Sequence, residues 1–217
     1  MAYRQLVPKF ILEKEASGAS SGRFEGVALF VDTSGFTPLT VQLQRYGTAG
    51  AEQLAEILQA VFDPLIEIIY RHGGFITGFA GDAFKGVFIG VKTDQLRSAL
   101  SAAVAIQSHM AANAIVETTF GDFPFAVRTS LANGTLEWGI WRTEKPIPNG
   151  QAAAYTFSGP ALDQAIAGEA LAKAGDLIMT DSVYAALTSE FDLVSEPISG
   201  SEKRFWRVNS VPSKPLM

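Results

Sequence analysis

The sequence predicts an α+β domain with a ferredoxin-like core, and three observations carry that prediction. The continuous apolar run Val27-Ala28-Leu29-Phe30-Val31 suits a central strand buried on both faces. A long amphipathic pattern follows, with Leu54, Ile57, Leu58, Val61, Phe62, Leu65, Ile68 and Ile69 at helical spacing. Residues 75–79 and 83–89 then flank a Gly81-Asp82 turn as a hairpin, and a further helix and strand complete strand–helix–strand–strand–helix–strand, with extra C-terminal elements.

Residues 5–15 read as a short helix or arm, and 16–23 (Ala-Ser-Gly-Ala-Ser-Ser-Gly-Arg) as a small flexible linker. The first strand is 24–32. A helix opens at Thr37-Pro38, with Thr37 as N-cap and Pro38 at the first helical position. Gly47 to Gly50 interrupts it before the long helix, in which Pro64 is a point for a kink. Gly73-Gly74 ends that helix. Residues 94–112 form another helix, apolar at Leu96, Leu100, Val104 and Ile106. A strand is expected at 123–131, an irregular aromatic hairpin at 138–147, a short strand at 153–157 and a helix at 160–174. A strand at 177–179, a helix at 181–187 and a last strand at 203–208 complete the reading. The organisation is therefore an arm and linker at 1–23, one domain at 24–210, and a tail or linker toward further chain at 211–217.

Composition narrows the function. Of 217 residues, 47% are apolar and only 18% charged, enough for a sizeable core in one domain. The net charge of −5 argues against a general nucleic-acid binder, which needs a basic face to displace counterions. There is no cysteine, which excludes disulfides and thiolate metal sites. His72 and His109 are too few for a histidine zinc site, and each reads as structural, His72 as a cation near a helix C-terminus. Arg4, Lys9, Glu13 and Lys14 interrupt any secretory apolar stretch, and no run of about 20 apolar residues is present. The expectation is a soluble cytoplasmic protein. Trp138, Trp141 and Trp206 read as core or interface packing before base stacking.

The chemistry concentrates in two short acidic motifs, Phe30-Val31-Asp32-Thr33-Ser34-Gly35-Phe36-Thr37 and Phe79-Ala80-Gly81-Asp82-Ala83. Each puts a carboxylate where an apolar strand hands over to a turn. A lone aspartate there is ordinarily a turn residue bonding its own backbone. Two at neighbouring strand ends can hold magnesium, which prefers one or two carboxylates plus phosphate oxygens to an all-protein cage. Thr33, Ser34, Gly35, Phe36 and Thr37 lead into a helix N-terminus, whose exposed amides favour phosphate oxygens.

The wording of these motifs resembles the catalytic domain of class III nucleotidyl cyclases, closest to the metal-binding first cyclase domain of soluble adenylyl cyclases. The resemblance runs through Gly50-Ala51-Glu52-Gln53-Leu54 and Gly73-Gly74, with the two aspartates fifty positions apart. It continues more weakly through Val127-Arg128, Ser158-Gly159-Pro160 and Ala174-Gly175-Asp176-Leu177-Ile178, so it covers roughly residues 25–209. It implies a central, mostly antiparallel sheet with helices packed on it. It also implies ATP as substrate, cyclic AMP and pyrophosphate as products, and two Mg²⁺ or Mn²⁺ ions on Asp32 and Asp82. Arg128 stands near the family's triphosphate-binding basic residue, with the alternative that it is a strand residue paired to an acid. The active site would form with a second cyclase domain.

Departures from the family pattern bear on activity. The purine-reading lysine ahead of Phe-Ala-Gly-Asp is replaced by Gly78, and a usual glycine by Ser130. The ribose-orienting asparagine and the transition-state arginine four positions on are replaced by Asp163 and Ala167. The resemblance therefore implies the metal-donating half of a cyclase pair, weak or inactive by itself. The alternative is a catalytically inactive nucleotide-binding or regulatory homologue acting through a partner domain. A diguanylate cyclase would need acidic residues after Gly73-Gly74, where Phe75-Ile76 stand.

Overall fold

The computed structural model describes residues 7–142, 153–188, 191, 193–198 and 204–210. Helix α1 (Lys9–Ala16) leads into β1 (Ser21–Ser34), then α2 (Phe36–Leu43), a short 3-10 turn (Gln44–Tyr46) and the 25-residue α3 (Gly47–Arg71). The hairpin β2 (Phe75–Ala80) and β3 (Ala83–Ile89) follows, then α4 (Thr93–Ala112). A small hairpin, β4 (Ile115–Thr118) and β5 (Gly121–Pro124), precedes the 17-residue β6 (Ala126–Arg142). The described chain ends with β7 (Ala153–Ser158), α5 (Pro160–Glu169), β8 (Leu177–Thr180), α6 (Asp181–Thr188), β9 (Val194–Ile198) and β10 (Phe205–Ser210).

Among the described residues the main sheet runs β2-β3-β1-β6-β8-β10-β9, with β7 also pairing β6. Every pairing is antiparallel except β6 with β8. The α+β reading and the mostly antiparallel sheet therefore hold.

The run in β1 is apolar throughout because both its faces are covered. Val27, Leu29 and Val31 pack under α2, α3 and α4 with Leu39, Leu65 and Leu100. Ala28 and Phe30 point the other way, into a second core with Ile11 of α1, Trp138, Phe157 and Ala161, Leu162 and Ala165 of α5. Strand alternation then puts Asp32 on the α5 side, in step with Ala28 and Phe30.

Several boundaries differ from the sequence expectation. The linker assigned to 16–23 is largely structured: Ala16 closes α1, and Ser21 to Arg23 pair with Gly139, Trp138 and Glu137. The partner strand β6 is long enough to extend the ladder there, which local composition does not show. Gly35 with φ of 108°, and not Thr37, precedes the first residue of α2, so Thr37 lies inside the first turn. The break before α3 falls at Gln44–Tyr46, and Gly47 to Gly50 begin the long helix, which runs on through Pro64. Helix α5 stops at Glu169, short of 174. The β4–β5 hairpin and β9 were not foreseen. Residues 138–142 are regular strand, and the rest of the expected aromatic hairpin, 143–147, lies outside the described residues, as does 211–217.

The β4–β5 hairpin packs against both ends of α2 and the turn that follows it. Tyr46 stacks on Phe120 with ring centroids 4.1 Å apart, and Gln42 donates to the Phe120 carbonyl at 2.9 Å. A Cβ on Gly35 would lie 2.2 Å from the Pro124 carbonyl oxygen. Gly35→Ala combines a left-handed backbone with that collision and is expected to cost roughly 2–4 kcal/mol of stability. Thermal or urea unfolding of the purified variant checks this.

Candidate active site

The register of three strands builds the site. Asp32 stands opposite Ala83 on β3 and opposite Arg128 on β6. Asp82 occupies the β2–β3 turn beside Gly81, whose φ is 65°. The next residue of β1, Thr33, ties that turn down: its N–H and its hydroxyl both donate to the Asp82 carbonyl, at 3.3 and 2.9 Å. Two aspartates fifty positions apart in sequence are thus held at adjacent strand ends by backbone pairing.

Past Ser34 and Gly35 the chain enters α2, and no side chain caps its start. The first-turn amides are therefore left for water or an anion, at the helix end that favours negative charge. Of the predicted site residues, Thr33 is buried, Ser34 continues β1 opposite Ala126, and Phe36 and Thr37 lie in the first turn of α2. The structure brings all of them to one end of the sheet.

Arg128 joins the same end. Its Nε–H donates to Asp32 Oδ2 at 3.1 Å, and its Nη2 makes a second short bond to the same oxygen. Burial lowers the guanidinium pKa, but the bond and charge of Asp32, with Glu169 and Asp82, outweigh this and hold it above its usual value. The surface-acid alternative for Arg128 is therefore met in an unexpected way, since its acid is the candidate metal ligand itself.

Glu169 was not foreseen. Its side chain, 12% exposed, comes from the last residue of α5, and Oε1 lies 3.0 Å from Arg128 Nε. Burial raises its pKa; Arg128 opposes this, and Asp32 and Asp82 add to it. The sequence did carry a trace of it. Ala161, Leu162, Ala165 and Gly168 form the inward stripe of α5, and Glu169, four residues after Ala165, continues it with a charge.

The Ser130 departure is compensated by the same helix. A Cβ on Gly168 would lie 2.3 Å from Ser130 Oγ, so glycine on α5 makes room for the larger strand residue. Asp163 and Ala167 stand exposed on the outer side of α5, and neither offers an amide or a guanidinium. Gly78 faces open space; its nearest neighbour in that direction is Cε of Lys85, directly across on β3 and 3.9 Å from where a Cβ would sit. Trp138 is core, 6% exposed, and only Trp141 of that pair presents a surface, at 66%. His72 caps the α3 C-terminus through a 2.7 Å contact between Nδ1 and the Ile68 carbonyl.

The donor set suits a hard divalent ion completed by a nucleotide. No group of three or more His, Asp or Glu among the described residues is arranged as a self-sufficient metal cage. Two carboxylates with coordination positions left to phosphate is the arrangement magnesium favours.

The mostly antiparallel sheet with helices packed on it is the fold of class III adenylyl/guanylyl cyclase catalytic domains. The chain is distantly homologous to adenylate cyclase type 10. The Homo sapiens protein is 28% identical over 165 residues, 74% of this chain and 10% of that protein. The Rattus norvegicus protein is 39% identical over 83 residues, 37% of this chain and 5% of that protein. The chain thus spans about a tenth or less of the length of the curated relatives it matches. No family model matches it. In fold it is similar to the adenylyl cyclase CyaB from P. aeruginosa, with a TM-score of 0.70 and 20% identity over 91% of this chain and 98% of that one. It is also similar to the guanylate cyclase domain of RhGC from Catenaria anguillulae in complex with GTP, at TM-score 0.68 and 20% identity over 88% and 100% of the two chains. No helix among the described residues is long and apolar enough to cross a membrane.

Proposed function

We propose that this domain supplies the metal-binding half of an adenylate-cyclase-type site, which forms cyclic AMP and pyrophosphate from ATP once a second cyclase domain completes it. The observation that carries this reading is the placement of Asp32 and Asp82 side by side, next to the uncapped start of α2. In the reaction the ribose 3′-oxygen bonds to the α-phosphorus, the bond to the β-phosphate's bridging oxygen breaks, and the hydroxyl proton is lost.

Asp32 and Asp82 would hold Mg²⁺ or Mn²⁺, two ions as in class III cyclases generally, whose charge eases ionisation of the 3′-hydroxyl and neutralises the triphosphate. The amides at the start of α2 receive phosphate oxygens from the other side. Arg128, once drawn off Asp32, offers a planar pair of donors to phosphate. The homology to adenylate cyclase type 10 favours ATP over GTP.

The outer face of α5 lacks what the opposite half-site needs, so a different domain has to face Asp32 and Asp82. Exposed Trp141 is the candidate contact at such an interface, where aromatic residues are enriched. Trp141→Ser is expected to weaken association at least about tenfold in sedimentation velocity while leaving the melting temperature unchanged.

A second reading, a non-catalytic regulatory homologue, is favoured by Gly78, Asp163 and Ala167 alone. Mixing the chain with a second cyclase domain that carries the lysine, asparagine and arginine separates the two. Cyclic AMP formed only by the mixture supports the enzyme. Tight Mg²⁺–nucleotide binding without product supports the regulator.

A further inference from the structure

Glu169 breaks three physical rules at once. It is a carboxylate at a helix C-terminus, where the dipole is already negative. It is nearly buried, and it lies close enough to Asp32 and Asp82 to feel both charges. Arg128 is a cation that offsets these costs, and yet the two hydrogen bonds seen from Arg128 go to another carboxylate. Both the Nε–H and the Nη2 bond go to Asp32 Oδ2. Glu169 Oε1 sits 3.0 Å from Nε and is buried without accepting a hydrogen bond. A buried oxygen left one bond short beside a donor engaged by another carboxylate calls for a state in which that bond is made.

We propose that Glu169 is a reserve acceptor for Arg128, taking the guanidinium from Asp32 when Asp32 turns to a divalent cation. The inference rests on the metal reading of Asp32 and Asp82. With three carboxylates and one guanidinium, the cluster has one carboxylate to spare for the arginine while two serve the metal. Without Glu169, Asp32 is the one carboxylate among the described residues left in an ion pair with Arg128, which then competes with the cation for it. Glu169 is thus a positioning residue. It acts through Arg128, and its position at the end of α5 keeps the guanidinium inside the cleft, within reach of the phosphates.

A double-mutant cycle on the purified chain tests this, with Mn²⁺ as the probe and the free ion followed by electron paramagnetic resonance. Glu169→Gln keeps size and shape and is expected to weaken Mn²⁺ binding about tenfold. In the Arg128→Gln background the same change is expected to have little effect, because the competitor is gone, and Arg128→Gln alone is expected to tighten binding. An equal loss in both backgrounds overturns the proposal, since Glu169 would then act only as a nearby negative charge. Unchanged binding in Glu169→Gln overturns it too. Asp32→Asn is the control for the underlying reading: a Mn²⁺ isotherm untouched by it removes the metal site, and the reserve-acceptor role with it.

Discussion

Asp32→Asn and Asp82→Asn are each expected to weaken Mg²⁺-dependent nucleotide binding by on the order of 100-fold or more, beyond the loss typical of a residue that only supports a ligand. The two should be equivalent in binding and differ in stability. The Asp82 turn is held through its carbonyl oxygen, which Asp82→Asn leaves in place for Thr33. Asp32, 14% exposed, carries the Arg128 ion pair, so Asp32→Asn weakens that contact while Glu169 remains nearby. About 1–3 kcal/mol of destabilisation is expected for Asp32→Asn, and almost none for Asp82→Asn. Calorimetry with a non-hydrolysable ATP analogue and Mg²⁺, beside a thermal melt of each variant, measures both. Wild-type affinity in both variants would remove the metal-site proposal.

The second large effect expected is a near absence of turnover by the chain alone. Two copies of this domain facing each other would bring aspartates to both clefts, and to neither an asparagine or arginine from α5. Asp163 and Ala167 are exposed on the outer side of α5, with side chains unable to orient a ribose or steady developing charge. Loss of one transition-state donor costs roughly 10²–10³ in rate in well-studied hydrolases, and losses within one site are rarely additive. Cyclic AMP production at saturating ATP and Mn²⁺ is therefore expected near background for the chain alone, rising by at least about 10² when a complementary domain is added. Robust turnover by the chain alone would mean that other residues fill those roles. Lys85, whose side chain lies beside Gly78, is the first to replace by alanine in that event.

Local pattern determined more of this protein than its boundaries suggest. The two-face burial of β1, the long amphipathic α3, the β2–β3 hairpin and the α+β class follow from apolar periodicity and turn residues, which act over a few positions and are written in order along the chain. The placement of Asp32 and Asp82 at adjacent strand ends was legible because each sits in a motif whose own residues make the strand end and the turn. Other features were decided by packing between distant segments. The β4–β5 hairpin is four residues on each strand, too short to show a period, and is held partly by contacts to α2. Trp138 and Trp141 read alike in sequence, yet one fills the core against Phe10 while the other faces out. The acceptance of Ser130 depends on a glycine in α5, thirty-eight positions away. The convergence of Arg128 and Glu169 on Asp32 depends on the β1–β6 register and on where α5 docks. A one-residue slip of that register would turn Arg128 to the opposite face of the sheet, so only the tertiary structure could set the third carboxylate beside the first two.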